Sequence, residues 1–295
     1  MSFVENNYTM IKITECPRDA MQGITTIIPT QDKIKYLNAL LKVGFDTLDF
    51  GSFVSPRAIP QLSDTAKVLE SLDLSNTSTK LLAIIASKKG ASIAASYKEI
   101  EYLGFPFSFS STFLKKNINT SIEGAFQLTQ DILSICQTNN KKLLQYISMA
   151  FGNPYGDPWS IDLLLEWIEK MHLLGIKTIT LSDVTGEANP QMIQEIYTTI
   201  VPRYPHITFG LHLHTTSATW KAKVDAAYKA GCRSFDTVLN DKGGCPMSGK
   251  ELLNNLNTYN LIEYASKNAI PLALNLQHLK QALLLSHKIF PEASL

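Results

Sequence analysis

Residues 174–183 read Leu-Gly-Ile-Lys-Thr-Ile-Thr-Leu-Ser-Asp, and this stretch decides the fold. A glycine suited to a left-handed helix stop comes first, a short β-branched and aliphatic run follows, and polar side chains stand at its carboxyl end. The same order recurs at 43–53 (VGFDTLDFGSF) and 230–241 (AGCRSFDTVLND). Working outward, strand-like runs are expected at 11–15, 47–50, 81–85, 105–110, 143–148, 178–183, 207–214 and 234–239. Segments of helical period lie between them at 31–43, 58–72, 123–136, 160–174, 191–201 and 219–230; in the first, Ile34, Leu37, Leu40 and Leu41 share one face. Gly44, Gly104, Gly175 and Gly231 are read as helix stops ahead of strands 2, 4, 6 and 8. Strand then helix, repeated eight times, predicts an α/β fold: a single (β/α)8 TIM barrel over 1–295. A C-terminal helical extension of about 251–295, with helices at 251–269 and 274–289, completes it.

Composition narrows the partners. With 27 Lys and Arg against 26 Asp and Glu, the net charge of +1 provides no basic field for phosphates, so nucleic acid is excluded as a partner. No apolar run approaches the ~18–20 residues of a membrane span. Glu5, Asn6 and Asn7 stand where a secretory signal needs apolar residues, which predicts a cytoplasmic protein. Cys16, Cys136, Cys232 and Cys245 are scattered without a C-x-x-C pair and are read as free thiols.

Barrel chemistry sits at the carboxyl ends of the strands, so the residues there are the candidates. His212 and His214 are two apart at the end of strand 7 and point to one face, which favours a metal-ligand pair over two core histidines. Asp19, with Arg18 at the end of strand 1, reads equally as a carboxylate ligand or a helix cap or turn residue. Arg18 suits a developing enolate or a surface ion pair. Asp49 and Asp183 read as acid/base groups, as anchors for Arg18 and the histidines, or as strand terminators. Cys245, among Gly243, Gly244 and Pro246, is either a mobile reactive thiol or part of a structural turn.

The elements PRDAMQG, FGSFVSP, KKNINTSIE, LSDVTG, HLH and GGCPM, spread from about residue 11 to 258, form a recognisable set. With them the chain resembles the 3-hydroxy-3-methylglutaryl-CoA lyase family, within the metal-dependent barrels that include isopropylmalate and homocitrate synthases. The resemblance implies that Asp19, His212 and His214 ligate a divalent metal, Mg²⁺ or Mn²⁺. It adds Asn255 from an N-x-x-T pattern, with Asn254 as the alternative register. It makes Arg18 the enolate stabiliser, Asp49 the counterpart of a usual Glu, Asp183 an active-site carboxylate, His212 a proton-transfer group and Cys245 a catalytic loop thiol. Departures are Asp49 itself, Thr215 where an Asp commonly follows the second histidine, the segment Asn240–Lys242, and Tyr259 in place of an acidic residue.

The activity so implied is retro-Claisen cleavage of hydroxymethylglutaryl-CoA into acetoacetate and acetyl-CoA, in leucine degradation, by a homodimer or other homo-oligomer acting on a small acyl-CoA. The alternatives are a lyase or condensing enzyme for another 3-hydroxy acyl-CoA or a 2-oxo acid, and a catalytically lapsed metal- or CoA-binding barrel. A metal-dependent hydrolase is disfavoured because the His-x-His ends strand 7 and not strand 1.

Overall fold

The computed structural model describes residues 10–243 and 253–290. Eight parallel strands, β1 (Lys12–Glu15), β2 (Thr47–Ser52), β3 (Lys80–Ile84), β4 (Ile100–Ser108), β5 (Lys142–Ser148), β6 (Thr178–Asp183), β7 (Thr208–Thr215) and β8 (Ser234–Thr237), pair in sequence order. The register Lys12↔Ser234 through Glu15↔Thr237 joins β1 to β8 and closes the barrel. Closure leaves no open edge among the eight, and the expected (β/α)8 architecture is present.

The outer layer comprises α1 (Pro17–Gln22), α2 (Thr30–Leu41), α3 (Thr65–Leu69), α4 (Lys88–Ala95), α5 (Ser111–Ile118), α6 (Ile122–Thr138), α7 (Ile161–Leu173), α8 (Pro190–Arg203) and α9 (Trp220–Lys229). Then follow α10 (Thr258–Lys267) and α11 (Leu276–Ile289). Their starts are chemically marked: Ser87, Ser110, Ser121, Ser160, Asn189, Asn257 and Asn275 each accept a backbone N–H in the first turn. Each such cap is worth about 1 kcal/mol. α2 shows why its sequence becomes a helix: Ile34, Leu37, Leu40 and Leu41 are buried together on one face, and α11 packs against it. None of the described helices is long and apolar enough to cross a membrane.

Gly44, Gly175 and Gly231 take φ of +88°, +84° and +100°, as a helix stop requires. Gly104 does not. It lies inside β4, which starts at Ile100, five residues before the expected 105; a Cβ there would meet Ile84 Cδ1 at 2.6 Å and the Tyr146 ring at 3.2 Å. The glycine makes room for cross-strand neighbours, a need invisible locally. The expected helix over 58–72 is broken into a 3₁₀ turn at Pro60–Leu62 and the short α3, with Pro60 opening that turn. The helix after β3 is α4, and β4 is followed by α5 ahead of α6; no bounds for α4 or α5 are read from the sequence.

Two further corrections shape the site. Arg18 and Asp19 stand not on the end of β1 but on α1, which Pro17 starts as its first residue, where a missing N–H costs nothing. The expected helix at 251–269 begins only at Thr258; before it, β9 (Asn254–Asn255) pairs antiparallel with β7 in the register His214↔Asn255. Cys245 and the expected helix start at 251–252 lie outside the described residues.

Candidate active site

A cavity of about 740 Å³ opens at the carboxyl ends of the strands. Arg18, Asp19, Gln22, Ser148, Ser182, His212 and His214 line it, and Ile24, Ile27, Ile59, Phe113 and Ile118 give it apolar walls. Val54 of the FVSP element and Lys116 and Asn117 of KKNIN also face it, so elements far apart in sequence share one space.

Strand alternation puts His212 and His214 on the cavity side of β7, with ring centroids 5.5 Å apart. Their donor atoms and one oxygen of Asp19 lie within 4.8 Å of one another. Each imidazole is held from behind. His214 Nδ1 is 2.8 Å from the Val184 carbonyl, which can only accept, so the proton sits on Nδ1 and Nε2 carries a bare lone pair. That Nε2 is buried without a partner. His212 Nδ1 lies 3.2 Å from Asp236 Oδ2, across the β7–β8 register pair His212↔Asp236.

Asn255 completes the group. Its Nδ2 donates to Asp19 Oδ2 at 2.9 Å and to the Lys242 carbonyl at 3.0 Å, while its Oδ1 is buried and unpartnered. Two orphaned acceptors, an imidazole nitrogen and an amide oxygen, beside an ionised carboxylate are what a hard or borderline divalent cation requires. The residues present therefore fit a bound metal. No thiolate belongs to this set, which argues against a structural zinc centre.

Arg18 borders the donors on α1. Its Nε and Nη2 donate to Asp49 Oδ2 at 3.0 and 2.7 Å, and its Nη1 reaches Asp19 Oδ1 at 3.1 Å and Gln22 Oε1 at 3.0 Å. Burial opposes the guanidinium charge, but Asp49 and Asp19 outweigh it and hold its pKa above the ordinary value. Burial pushes the Asp49 carboxyl up to about 6 despite Arg18. Asp19 goes the other way: burial would raise it, yet Arg18 and His212 together hold it below the usual carboxylate range. Burial lowers His214 further, with the neighbouring His212 charge, whereas Asp236 and Asp19 overcome burial and raise His212.

Arg18, Asp19, Asp49, His212, His214 and Asn255 are thus brought together. Asp183 is not among them. Ser182 and Val184 line the cavity, but the Asp183 carboxylate is engaged elsewhere, by Lys223 Nζ at 3.0 Å and by the Ala188 N–H at 3.2 Å. Thr215 pairs with Asn254. Sequence reasoning missed Asp236 and Lys223, since neither has a local signature, and Glu15. Glu15 is fully buried, accepting from Thr237, Thr258 and the Leu239 N–H, and burial pushes its carboxyl up to about 7. A carboxylate at the end of a strand read as buried was the available signal for it.

Fold and site define a class: an α/β barrel whose rim joins a carboxylate, imidazole and amide donor set to a buried guanidinium. The HMGL-like family model matches residues 10–283. The human mitochondrial hydroxymethylglutaryl-CoA lyase is 31% identical over 275 residues, covering 92% of this chain and 83% of the relative. The Bacillus subtilis hydroxymethylglutaryl-CoA lyase is 30% identical over 230 residues, covering 78% and 76%. Among solved structures, an HMG-CoA lyase from Acinetobacter baumannii in complex with coenzyme A and 3-methylmalate superposes with a TM-score of 0.87 at 29% identity, covering 98% of this chain and 92% of that one. The chain belongs to the HMGL-like family, with hydroxymethylglutaryl-CoA lyases as its relatives.

Proposed function

We propose that this protein is a carbon–carbon lyase that cleaves 3-hydroxy-3-methylglutaryl-CoA to acetoacetate and acetyl-CoA. The observation that carries the reading is the Arg18–Asp49 pair standing against the Asp19, His212, His214 and Asn255 donor set on one cavity rim. The relative's complex with coenzyme A and 3-methylmalate supports an acyl-CoA substrate.

When bound, Mg²⁺ or Mn²⁺ supplies Lewis acidity that makes the tertiary hydroxyl of the substrate easier to deprotonate. Asp19, held ionised by Arg18 and His212, takes that proton on a carboxylate oxygen. Asp183 is the weaker candidate for this base because its carboxylate, held by Lys223, does not line the cavity, whereas Asp19 does. The bond between C2 and C3 then breaks: C3 becomes the ketone of acetoacetate, and the electron pair passes to the thioester side as an enolate. Arg18, held by Asp49, donates hydrogen bonds to the enolate oxygen. A proton from Cys245 or His212 to the enolate carbon completes acetyl-CoA. The apolar walls limit water at that carbon.

The same reading makes the chain one catalytic domain of a cytoplasmic homo-oligomer, serving leucine degradation. A coupled assay of metal-loaded protein against a panel of acyl-CoA thioesters tests it. Equal amounts of acetyl-CoA and acetoacetate are expected from the hydroxymethylglutaryl thioester. Condensation of acetyl-CoA with a 2-oxo acid, without cleavage, would replace the lyase by a synthase.

A further inference from the structure

We infer that Lys223, on α9 behind the barrel wall, is a positioning residue for His214: its ammonium fixes the turn after β6 so that the Val184 carbonyl holds the ring with Nε2 turned to the donor set. The inference rests on His214 being a metal ligand.

Lys223 is only 4% exposed. Its ammonium has three donors, and three oxygens take them: Asp183 Oδ2 at 3.0 Å, the Gly186 carbonyl at 3.0 Å and the His214 carbonyl at 3.1 Å. One side chain therefore ties the last residue of β6, the turn after it and the ligand-bearing part of β7. The other Asp183 oxygen accepts from the Ala188 N–H at 3.2 Å, so the turn is pinned at both ends. Between those pins lies Val184, whose carbonyl sets the His214 tautomer. Gly186, at φ +71°, takes a backbone conformation that L side chains rarely adopt, and a Cβ there would displace the side chain of Leu253, the residue before β9 and its Asn255. The turn thus abuts the route to a second donor.

A simpler role would be an ion pair that fastens α9 to the barrel. Packing alone does not require it, since apolar residues of similar volume often replace a buried ion pair without loss of stability. Two of the three contacts also go to carbonyls of the turn and of His214 itself, where they constrain backbone position and not merely helix docking.

The test uses EDTA-stripped full-length wild type, Lys223→Met, the double variant Lys223→Met with Asp183→Asn, and His214→Ala. Three quantities are read: Mn²⁺ affinity by electron paramagnetic resonance of the free ion, the His214 tautomer by ¹⁵N NMR without metal, and Tm. Lys223→Met should weaken Mn²⁺ binding about 10- to 100-fold and move His214 from the Nδ1–H form towards a mixture. It should also lower Tm, because the Asp183 charge is left unpaired. In the double variant Tm should return towards wild type while Mn²⁺ affinity stays weak and the tautomer stays mixed. If Lys223→Met does not fold, the double variant carries the comparison. Recovery of affinity together with Tm, or an unchanged tautomer, would reduce Lys223 to a packing element. Wild type whose Mn²⁺ binding is indifferent to His214→Ala would overturn the ligand assignment instead, and the metal-free tautomer would still decide the role of Lys223.

Discussion

Arg18 and Asp49 meet through a single carboxylate oxygen: Nε and Nη2 both donate to Asp49 Oδ2, at 3.0 and 2.7 Å, and Oδ1 is left buried without a partner. The guanidinium is thus oriented along its Nε–Nη2 edge. Its remaining nitrogen, Nη1, is shared between Asp19 and Gln22, which both line the cavity. The pair therefore links the enolate-stabilising role proposed for Arg18 to the metal-ligand role proposed for Asp19 through one cation.

Metal dependence follows from the orphaned acceptors on His214 and Asn255. EDTA should abolish cleavage, and Mg²⁺ or Mn²⁺ should restore it. His214→Ala should weaken metal affinity. Arg18→Gln should leave metal bound while lowering kcat by about 10²- to 10³-fold, the usual loss when one anion-stabilising donor is removed. Calorimetric titration with Mn²⁺ beside steady-state assays separates these; an Arg18 variant that loses its metal would mean that Arg18 acts chiefly by holding Asp19.

The acid limb of the rate profile should belong to Asp49. Its carboxyl is pushed up to about 6, so it ionises only above that pH, and Arg18 loses its charged partner as pH falls through this value. kcat/KM should fall on the acid side of about 6. Asp49→Asn should remove this limb and lower the plateau by about 10- to 100-fold. A limb retained unchanged in Asp49→Asn would assign it to another group.

Glu15 predicts a stability effect of opposite sense to a surface carboxylate. Its folded-state pKa of about 7 lies above the ordinary 4.5, so the stability it contributes is complete below about 4.5 and is lost as pH rises through about 7. Glu15→Gln keeps an acceptor for the Leu239 N–H and carries no charge. At pH 8 it should be more stable than wild type, by on the order of 3 kcal/mol, with the advantage vanishing towards pH 4.5. Urea denaturation across this range gives the answer; equal pH dependence in both proteins would show that Glu15 stays ionised when buried.

Thiol chemistry should be confined to one cysteine. Cys136 and Cys232 are buried, and burial pushes both thiols up to about 12; burial with Asp236 and Asp49 pushes Cys16 higher still than its ordinary value. Alkylation near neutral pH should therefore mark Cys245 first, inactivate the protein, and be slowed by substrate. Cys245→Ser should lower kcat strongly with a modest change in KM. Peptide mass mapping of a fully active, Cys245-alkylated protein would return this residue to a turn.

The barrel was legible because its signals are local. Strands at 47–52, 142–148, 178–183 and 208–215 announce themselves by β-branched and aliphatic runs, and Gly44, Gly175 and Gly231 by the positive φ that only glycine adopts cheaply. The shared face of His212 and His214 follows from the two-residue period of a strand, whatever surrounds it. These readings use sterics and periodicity within about ten residues, which the chain carries wherever it folds.

Only closure of the barrel decided the rest. Asp19 and Asn255, 236 residues apart, meet because β9 pairs with β7 beside α1, and a two-residue strand has no periodicity to read. Asp236 backs His212 through a cross-strand register, and Lys223 reaches Asp183 from the helix layer. Gly104 is required by the Ile84 and Tyr146 side chains of neighbouring strands and not by its own φ. The sequence by itself determined the architecture and which strand ends carry polar groups. The tertiary structure decided which of those groups face the cavity, as Arg18, Asp19 and His214 do, and which are buried behind it, as Asp49 is against Arg18 and Asp183 against Lys223. Such choices depend on desolvation and register among residues far apart in the chain, and neither quantity exists until the barrel has closed.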